Sequence, residues 1–293
     1  MFNLPAIEKF GMLIIRLLSY LPFGILYLLS DFLFFVSYYI VRYRRRLVKK
    51  NLRNSFPGKT KNELSVIEKE FYRNLCDYAV EMLKLLTISK EELTRRMKFN
   101  EPEFVHQFSS KNQSILFLAS HQFNWEWLLV SASISFPMAI DFVYQPIHNK
   151  LFERFSVLSR TRFGAHAIQR DEVARELVKR RNILRGVAIV ADQYPGYKKD
   201  KKYPVKFLNQ DTVFFLGLNN MAVLSQYPAV YYTIRKVKRG YYEADPNIVA
   251  LPPYEKTETV VIDNYIKLVE QVINQYPSGW LWSHNRWKKR HLK

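Results

Sequence analysis

Residues 115–127, ILFLASHQFNWEW, place one histidine and one glutamate at the end of an apolar run that reads as a strand buried on both faces. An imidazole five residues ahead of a carboxylate suits general base catalysis: the carboxylate holds one ring nitrogen, and the other is free to take a proton. On one continuous helix five residues turn through ~500°, so His121 and Glu126 would point roughly 140° apart. They converge if His121 lies on a strand-to-helix turn and Glu126 in the first helical turn, where a carboxylate also suits the helix dipole. No Gly-x-Ser-x-Gly elbow is present, and Cys76 sits far off on a helix-like stretch, CDYAVEML. The pair therefore lacks a nucleophile, and the attacking hydroxyl or amine has to arrive with the substrate. Alone the pair is weak evidence, because a histidine and a glutamate at this spacing recur by chance in chains of this size. A metal site is not expected: the other histidines show no ligand spacing, and a single cysteine builds neither a thiolate site nor a disulfide.

The elements that would position these groups follow from the rest of the chain. With 48% hydrophobic residues in 293, one large α/β domain with a full core is within reach, and 9 glycines with 15% aromatic residues argue against low complexity. Residues 62–87 carry Leu64, Ile67, Phe71, Leu75, Tyr78 and Met82 at three- and four-residue steps, an amphipathic helix. Short apolar runs then alternate with helical patterns: SILFLAS, a helix from about Asn124, AIDFVY, helical DEVARELVKRR, GVAIVADQ, helical TVFFLGLNNMAVL, PAVYYTIRKV, YYEADPNIVA and a last helix near 257–276. Strand and helix in alternation predict a mainly parallel or mixed central sheet flanked by helices. Ligands of such sheets bind beyond the carboxyl ends of the strands, where SILFLAS delivers His121 and GVAIVA delivers Asp192 and Gln193.

Residues 17–41 hold one charge, Asp31, which is about the length a bilayer crossing needs. Pro22, Gly24 and Asp31 leave a kinked crossing and an interfacial helix or hairpin both open. The arginine cluster that follows, RYRRRLVKKNLR at 42–53, assigns the remainder to the cytoplasmic side, and no cleavage site precedes it. A membrane-associated segment over 1–45 and a catalytic domain over 46–293 is the expected division. The formal charge of +19, with a second basic run at 286–293, calls for an anionic partner. A noncatalytic basic protein on membrane or nucleic acid would also explain it, and would make His121 and Glu126 expendable.

SHQFNWEW resembles the His-x4-Asp/Glu block of the glycerolipid acyltransferases, in the form found in the late acyltransferases of lipid A biosynthesis. VYQPIHNKLFERFSVLSRTRFGAHAIQR, IVADQ and YPSGWLWSHNRWKKR are similar to that family's later blocks, in the same order, and the N-terminal apolar segment with RRRLVKKNLRNSFP is similar as well. Two positions depart: Phe123 stands where glycine is usual, and VKFLNQDTVFF, with Lys206 and Asn209, replaces a Val-Pro-Phe-x-Gly pattern. The resemblance implies direct acyl transfer from a thioester of acyl carrier protein or coenzyme A to a lipid hydroxyl, with no other cofactor. It implies His121 as base and Glu126 as the group that orients it. Arg162, on the Arg-x-Gly element ending at Gly164, is the implied oxyanion donor. Asn124 either donates near the site or caps the helix, Arg160 and Arg170 face donor or lipid phosphate, and Asp192 and Gln193 support the site. Trp282, His284, Arg286 and Trp287 are assigned to structure or membrane contact. The implied partners are an anionic lipid acceptor, an acidic acyl carrier protein and the bacterial inner membrane, with no nucleic acid. A lysophospholipid or aminolipid acceptor would use the same two residues identically.

Overall fold

The computed structural model describes residues 5–288; residues 289–293, the end of the second basic run, lie outside the described residues. The apolar N-terminal stretch is not one helix. Helix α1 (Ala6–Ser19) ends ahead of Pro22, which caps the start of α2 (Phe23–Phe35), and α2 widens into a π turn over Val36–Ile40. The basic α3 (Arg45–Ser55) follows, then the long α4 (Lys61–Lys84), opened by a capping box between Thr60 and Glu63. Helix α5 (Lys90–Arg96) leads into β1 (Met97–Phe99), the short α6 (His106–Ser109) into β2 (Ile115–Ala119), and α7 (Trp125–Ser135) into β3 (Ala139–Tyr144). Next come α8 (Lys150–Thr161), β4 (His166–Gln169), α9 (Val173–Lys179), β5 (Arg185–Val190), the hairpin β6 (Lys202–Phe207) and β7 (Gln210–Phe215), and α10 (Gly217–Ser225). Two long strands, β8 (Ala229–Lys238) and β9 (Tyr241–Ala250), precede α11 (Val260–Gln275).

Seven strands form one sheet in the order β1-β9-β8-β2-β5-β3-β4, parallel at every step except β8 to β9. The α/β class read from the sequence is the one observed. Strand β2 is central and buried along its whole length. Its side chains alternate as the pleat requires: Leu116 and Leu118 enter one core, and Ile115, Phe117 and Ala119 the core on the opposite face. Pro246 sits in β9 beyond the three residues that pair with β1, where no neighbour needs its missing N–H.

The helix expected over TVFFLGLNNMAVL is corrected: Thr212–Phe215 belong to β7, and α10 starts only at Gly217. Two β-branched residues followed by two aromatics favour a strand, and the turn before them enforces it. Leu208 and Asn209, at φ 47° and 62°, form the two-residue loop between Phe207 and Gln210 that a hairpin with both central residues left-handed requires. Asn209 thus does at this turn what glycine does in the pattern it departs from.

Candidate active site

The residues after β2 form a turn held by the far end of the chain. The His121 carbonyl accepts from the Leu281 N–H at 3.0 Å, and the Phe123 N–H donates to the Gly279 carbonyl at 2.8 Å. Phe123 has a left-handed backbone, φ 46°, which explains why glycine suits this position. Its ring lies so close to Gly279 that a Cβ there would meet ring carbon at 2.6 Å. Asn124 then caps α7: its Oδ1 accepts from the Trp127 N–H at 2.9 Å while its Nδ2 donates to Glu81 at 2.7 Å. Of the two roles open to Asn124, the structure gives it the cap.

Strands β2 and β5 are parallel neighbours with Ala119 opposite Val190, so two residues further on His121 meets Asp192. The imidazole Nδ1 lies 2.6 Å from Asp192 Oδ1. The other carboxylate oxygen accepts from the His121 backbone N–H at 3.1 Å and from the Trp280 indole at 2.7 Å. Burial by itself would raise the Asp192 carboxyl, but His121 and these donors overcome it and hold it below the usual aspartate range. With Nδ1 donating to Asp192, His121 Nε2 has no partner among the described residues and is the atom free to take a proton.

Glu126 does not orient the imidazole, a correction to the sequence reading. The first turn of α7 directs it to α8, where Arg160 Nε donates to Oε2 at 2.6 Å and Arg160 Nη2 to Oε1. Trp125 Nε1 adds a bond to Oε1 at 3.0 Å, and its ring stands edge-on to His121 with centroids 5.0 Å apart. Burial pushes the Glu126 carboxyl up, Arg160 pulls it down further, and the net shift is downward. Glu126 and Arg160 are thus a buried ion pair in the wall beside His121, and Trp125 stands between them and the imidazole.

Arg162 has other partners too: its Nη1 donates to the carbonyls of Leu85 and Ile88, which follow the end of α4. Carbonyls just past a helix C-terminus have no helical donor, and they capture the guanidinium. Gly164 takes φ 95° in the turn from α8 to β4. Neither residue lines the cavity beside His121, whereas Arg160, Arg170 and Gln193 do. Arg170 pairs with Asp200 and lies over the rings of Phe215 and Tyr197.

That cavity, about 560 Å³, has two chemically distinct ends. At one end are His121, Glu126, Arg160, Arg170, Gln193 and His284. At the other, Phe99, Phe117, Phe136 and Tyr232 pack on one another with centroids 4.5 to 5.8 Å apart, and α7 contributes Leu128 and Ala132. Such a volume suits an amphiphile with its reacting group under the imidazole and its apolar chain among the rings. Trp280 and His284 are site residues that sequence reasoning missed. His284 Nε2 accepts from the Tyr194 N–H at 3.3 Å, and burial, with His121 close by, pushes its pKa down to about 4. Trp282 and Arg286 are fully buried, in keeping with a structural role and not with membrane contact.

Behind α7, Glu81 accepts from Asn124, from the Tyr242 hydroxyl at 2.9 Å and from the Tyr27 hydroxyl at 3.0 Å. Burial, with Asp77 nearby, raises its carboxyl from 4.5 to about 7. Folding therefore takes up a proton between these values. The stability gained is complete below pH 4.5 and is lost as pH rises through about 7. Glu81→Gln should accordingly remove, between these pH values, a stability decline on the order of 3 kcal/mol, at ~1.4 kcal/mol per pKa unit. Thermal melts of both proteins across the window read it, and parallel profiles would show that Glu81 does not titrate there.

No curated protein matches the chain. The model of one family, bacterial lipid A biosynthesis acyltransferase, matches residues 5–289 and so spans every element described, from α1 to the segment that carries Trp280 and His284. On that match, the chain belongs to the bacterial lipid A biosynthesis acyltransferases.

Proposed function

We propose that this protein transfers a fatty acyl chain from a thioester, carried on an acyl carrier protein, to a hydroxyl of a lipid A precursor. It works on the cytoplasmic side of the bacterial inner membrane. The observation that carries this reading is an imidazole with one nitrogen held by a buried carboxylate and the other unpartnered, set at the polar end of a cavity whose far end is aromatic. His121 Nε2 takes the acceptor hydroxyl's proton as its oxygen bonds to the thioester carbonyl carbon. The carbon–sulfur bond breaks as the adduct collapses, and the proton passes from the imidazolium to the departing thiolate. No covalent acyl-enzyme forms, which matches the lack of a serine elbow. Arg160 and Arg170 bring guanidinium groups to the polar end, each already shared with a carboxylate, Glu126 and Asp200, and their remaining N–H groups suit a phosphorylated acceptor or the phosphate of the carrier's prosthetic arm. The formal charge of +19 favours an acidic carrier protein and an anionic lipid alike.

The test offers the purified full chain an acyl carrier protein thioester or an acyl-coenzyme A, with either a lipid A precursor or a lysophospholipid as acceptor. Mass spectrometry should find the acylated lipid A precursor, formed faster from the carrier protein. Acylation of the lysophospholipid alone would assign the same chemistry to another acceptor.

A further inference from the structure

Helices α1 and α2 each turn one face to the body of the protein and leave the other bare. On α2 and the π turn that continues it, Leu26, Ser30, Phe34 and Tyr38 recur every fourth residue and are buried. On the opposite side Leu28, Phe32 and Phe35 are 70%, 62% and 52% exposed. On α1, Ile7, Phe10 and Leu17 are 79%, 63% and 59% exposed, while Gly11 on the inner side lies against Leu151 of α8. A bare apolar surface of this extent marks an interaction site.

Helix α2 is bonded to the domain along its length, through Tyr27 and Ser30 on the inner side and through Asp31 on its exposed flank. Tyr27 donates to Glu81 at 3.0 Å, Ser30 to Asp77 at 2.8 Å, and Arg239 of the β8–β9 turn grips Asp31 at 2.7 Å. A helix that crosses a bilayer would have to leave all three behind and strip Asp77 and Glu81 of their cover. Phe23–Ile40 is long and apolar enough to cross a bilayer, so these bonds to the domain, and not its length, are what argue for an in-plane position.

What covers the bare face is indicated by charge. Immediately after Val41, Arg42, Arg46, Lys49, Lys50 and Arg53 are exposed, and among the described residues none pairs with a carboxylate. Exposed cations without a carboxylate partner, on the segment and helix that directly follow an apolar face, are complementary to anionic headgroups above acyl chains. The same surface leads to the cavity. Leu151 of α8, under Gly11, lies four residues after Ile147, which is 45% exposed and also lines the cavity.

We propose that the protein docks in the plane of one leaflet of an anionic bilayer, with the outer faces of α1 and α2 immersed and the cavity mouth at Ile147 level with the lipids. Both termini of the α1–α2 unit then lie on the same side of the membrane as the catalytic domain. The lipid acceptor enters sideways without leaving the leaflet; this last step rests on the lipid-acceptor reading above, whereas the docking does not.

Two measurements on the full chain test it, neither of which uses activity. Lys9→Cys, labelled with a membrane-impermeant maleimide, should react in inverted membrane vesicles and stay protected in intact spheroplasts; the native Cys76 is buried. Labelling from the opposite side only would make α2 a crossing helix and overturn the proposal. In flotation assays, binding to phosphatidylglycerol vesicles should exceed binding to phosphatidylcholine vesicles. Replacement of Arg46, Lys49, Lys50 and Arg53 by glutamine should weaken it by about fivefold per cation removed. A stable dimer in solution that ignores both kinds of vesicle would give the bare face to a second copy and also overturn it.

Discussion

His121→Ala should reduce acyl transfer by on the order of 10²–10⁴-fold while the protein stays folded and membrane-bound. The loss is expected on kcat, because in the proposed mechanism the imidazole acts as the hydroxyl proton is in flight, and the substitution leaves the apolar lining of the cavity unchanged. Nothing else described at the polar end can take the proton as readily: Glu126 is paired with Arg160 and shifted downward, and His284 Nε2 is occupied by the Tyr194 N–H. The fold should survive, since the side chain is partly exposed to the cavity and the turn is held through backbone bonds from Leu281 and Phe123. Turnover measured with saturating thioester, beside far-ultraviolet circular dichroism, decides the matter. Full activity in a folded variant would remove His121 from the mechanism.

Asp192→Asn is expected to come next, at roughly 10²- to 10⁴-fold in kcat with a much smaller change in KM. The asparagine amide can present an N–H to Nδ1, and that favours the tautomer with the proton on Nε2, the nitrogen that must be free. Because the carboxyl is held below the ordinary aspartate value of ~3.9, Asp192 is ionised at neutral pH and loses its charge only in acid. Raising the pH should therefore leave the effect of Asp192→Asn in place. Glu126→Gln is the informative comparison. It leaves the imidazole's own bond intact but unpairs Arg160, so it should weaken substrate binding and stability more than it alters the base. If Glu126→Gln lowered kcat severely without affecting folding or KM while Asp192→Asn left kcat unchanged, Glu126 and not Asp192 would be the partner of His121.

The strand, the turn at His121 and the capped helix after it were legible because each depends on local signals: an unbroken apolar run, a cap residue and a carboxylate in the first turn. The partner of the imidazole was not. Asp192 lies 71 residues away and meets His121 only because β2 and β5 are neighbours, a fact of strand order that periodicity does not encode. Sequence proximity favoured Glu126, and tertiary packing gave that carboxylate to Arg160. Arg162 was misplaced for a similar reason, since the open carbonyls at the end of α4 belong to a distant segment. The hairpin hidden in VKFLNQDTVFF was missed because an apolar run across a strand–helix boundary reads equally well as one helix. Trp280 and His284 could have been found only by noticing that the closing aromatic block must pack on something, with no indication that it packs on the site.

The clasp between the turn at His121 and residues 279–281 has a consequence for how the protein is made. A ribosome releases the apolar α1 and α2 well before Asp192 and Trp280, so they are available to a membrane earlier in synthesis. Asp192 waits a further 88 residues for the indole of Trp280, and His121 longer still for Leu281. A growing or prematurely stopped chain can therefore reach the lipid surface while its base is still unset, so the capacity to acylate arrives late, once residues 279–281 have been made.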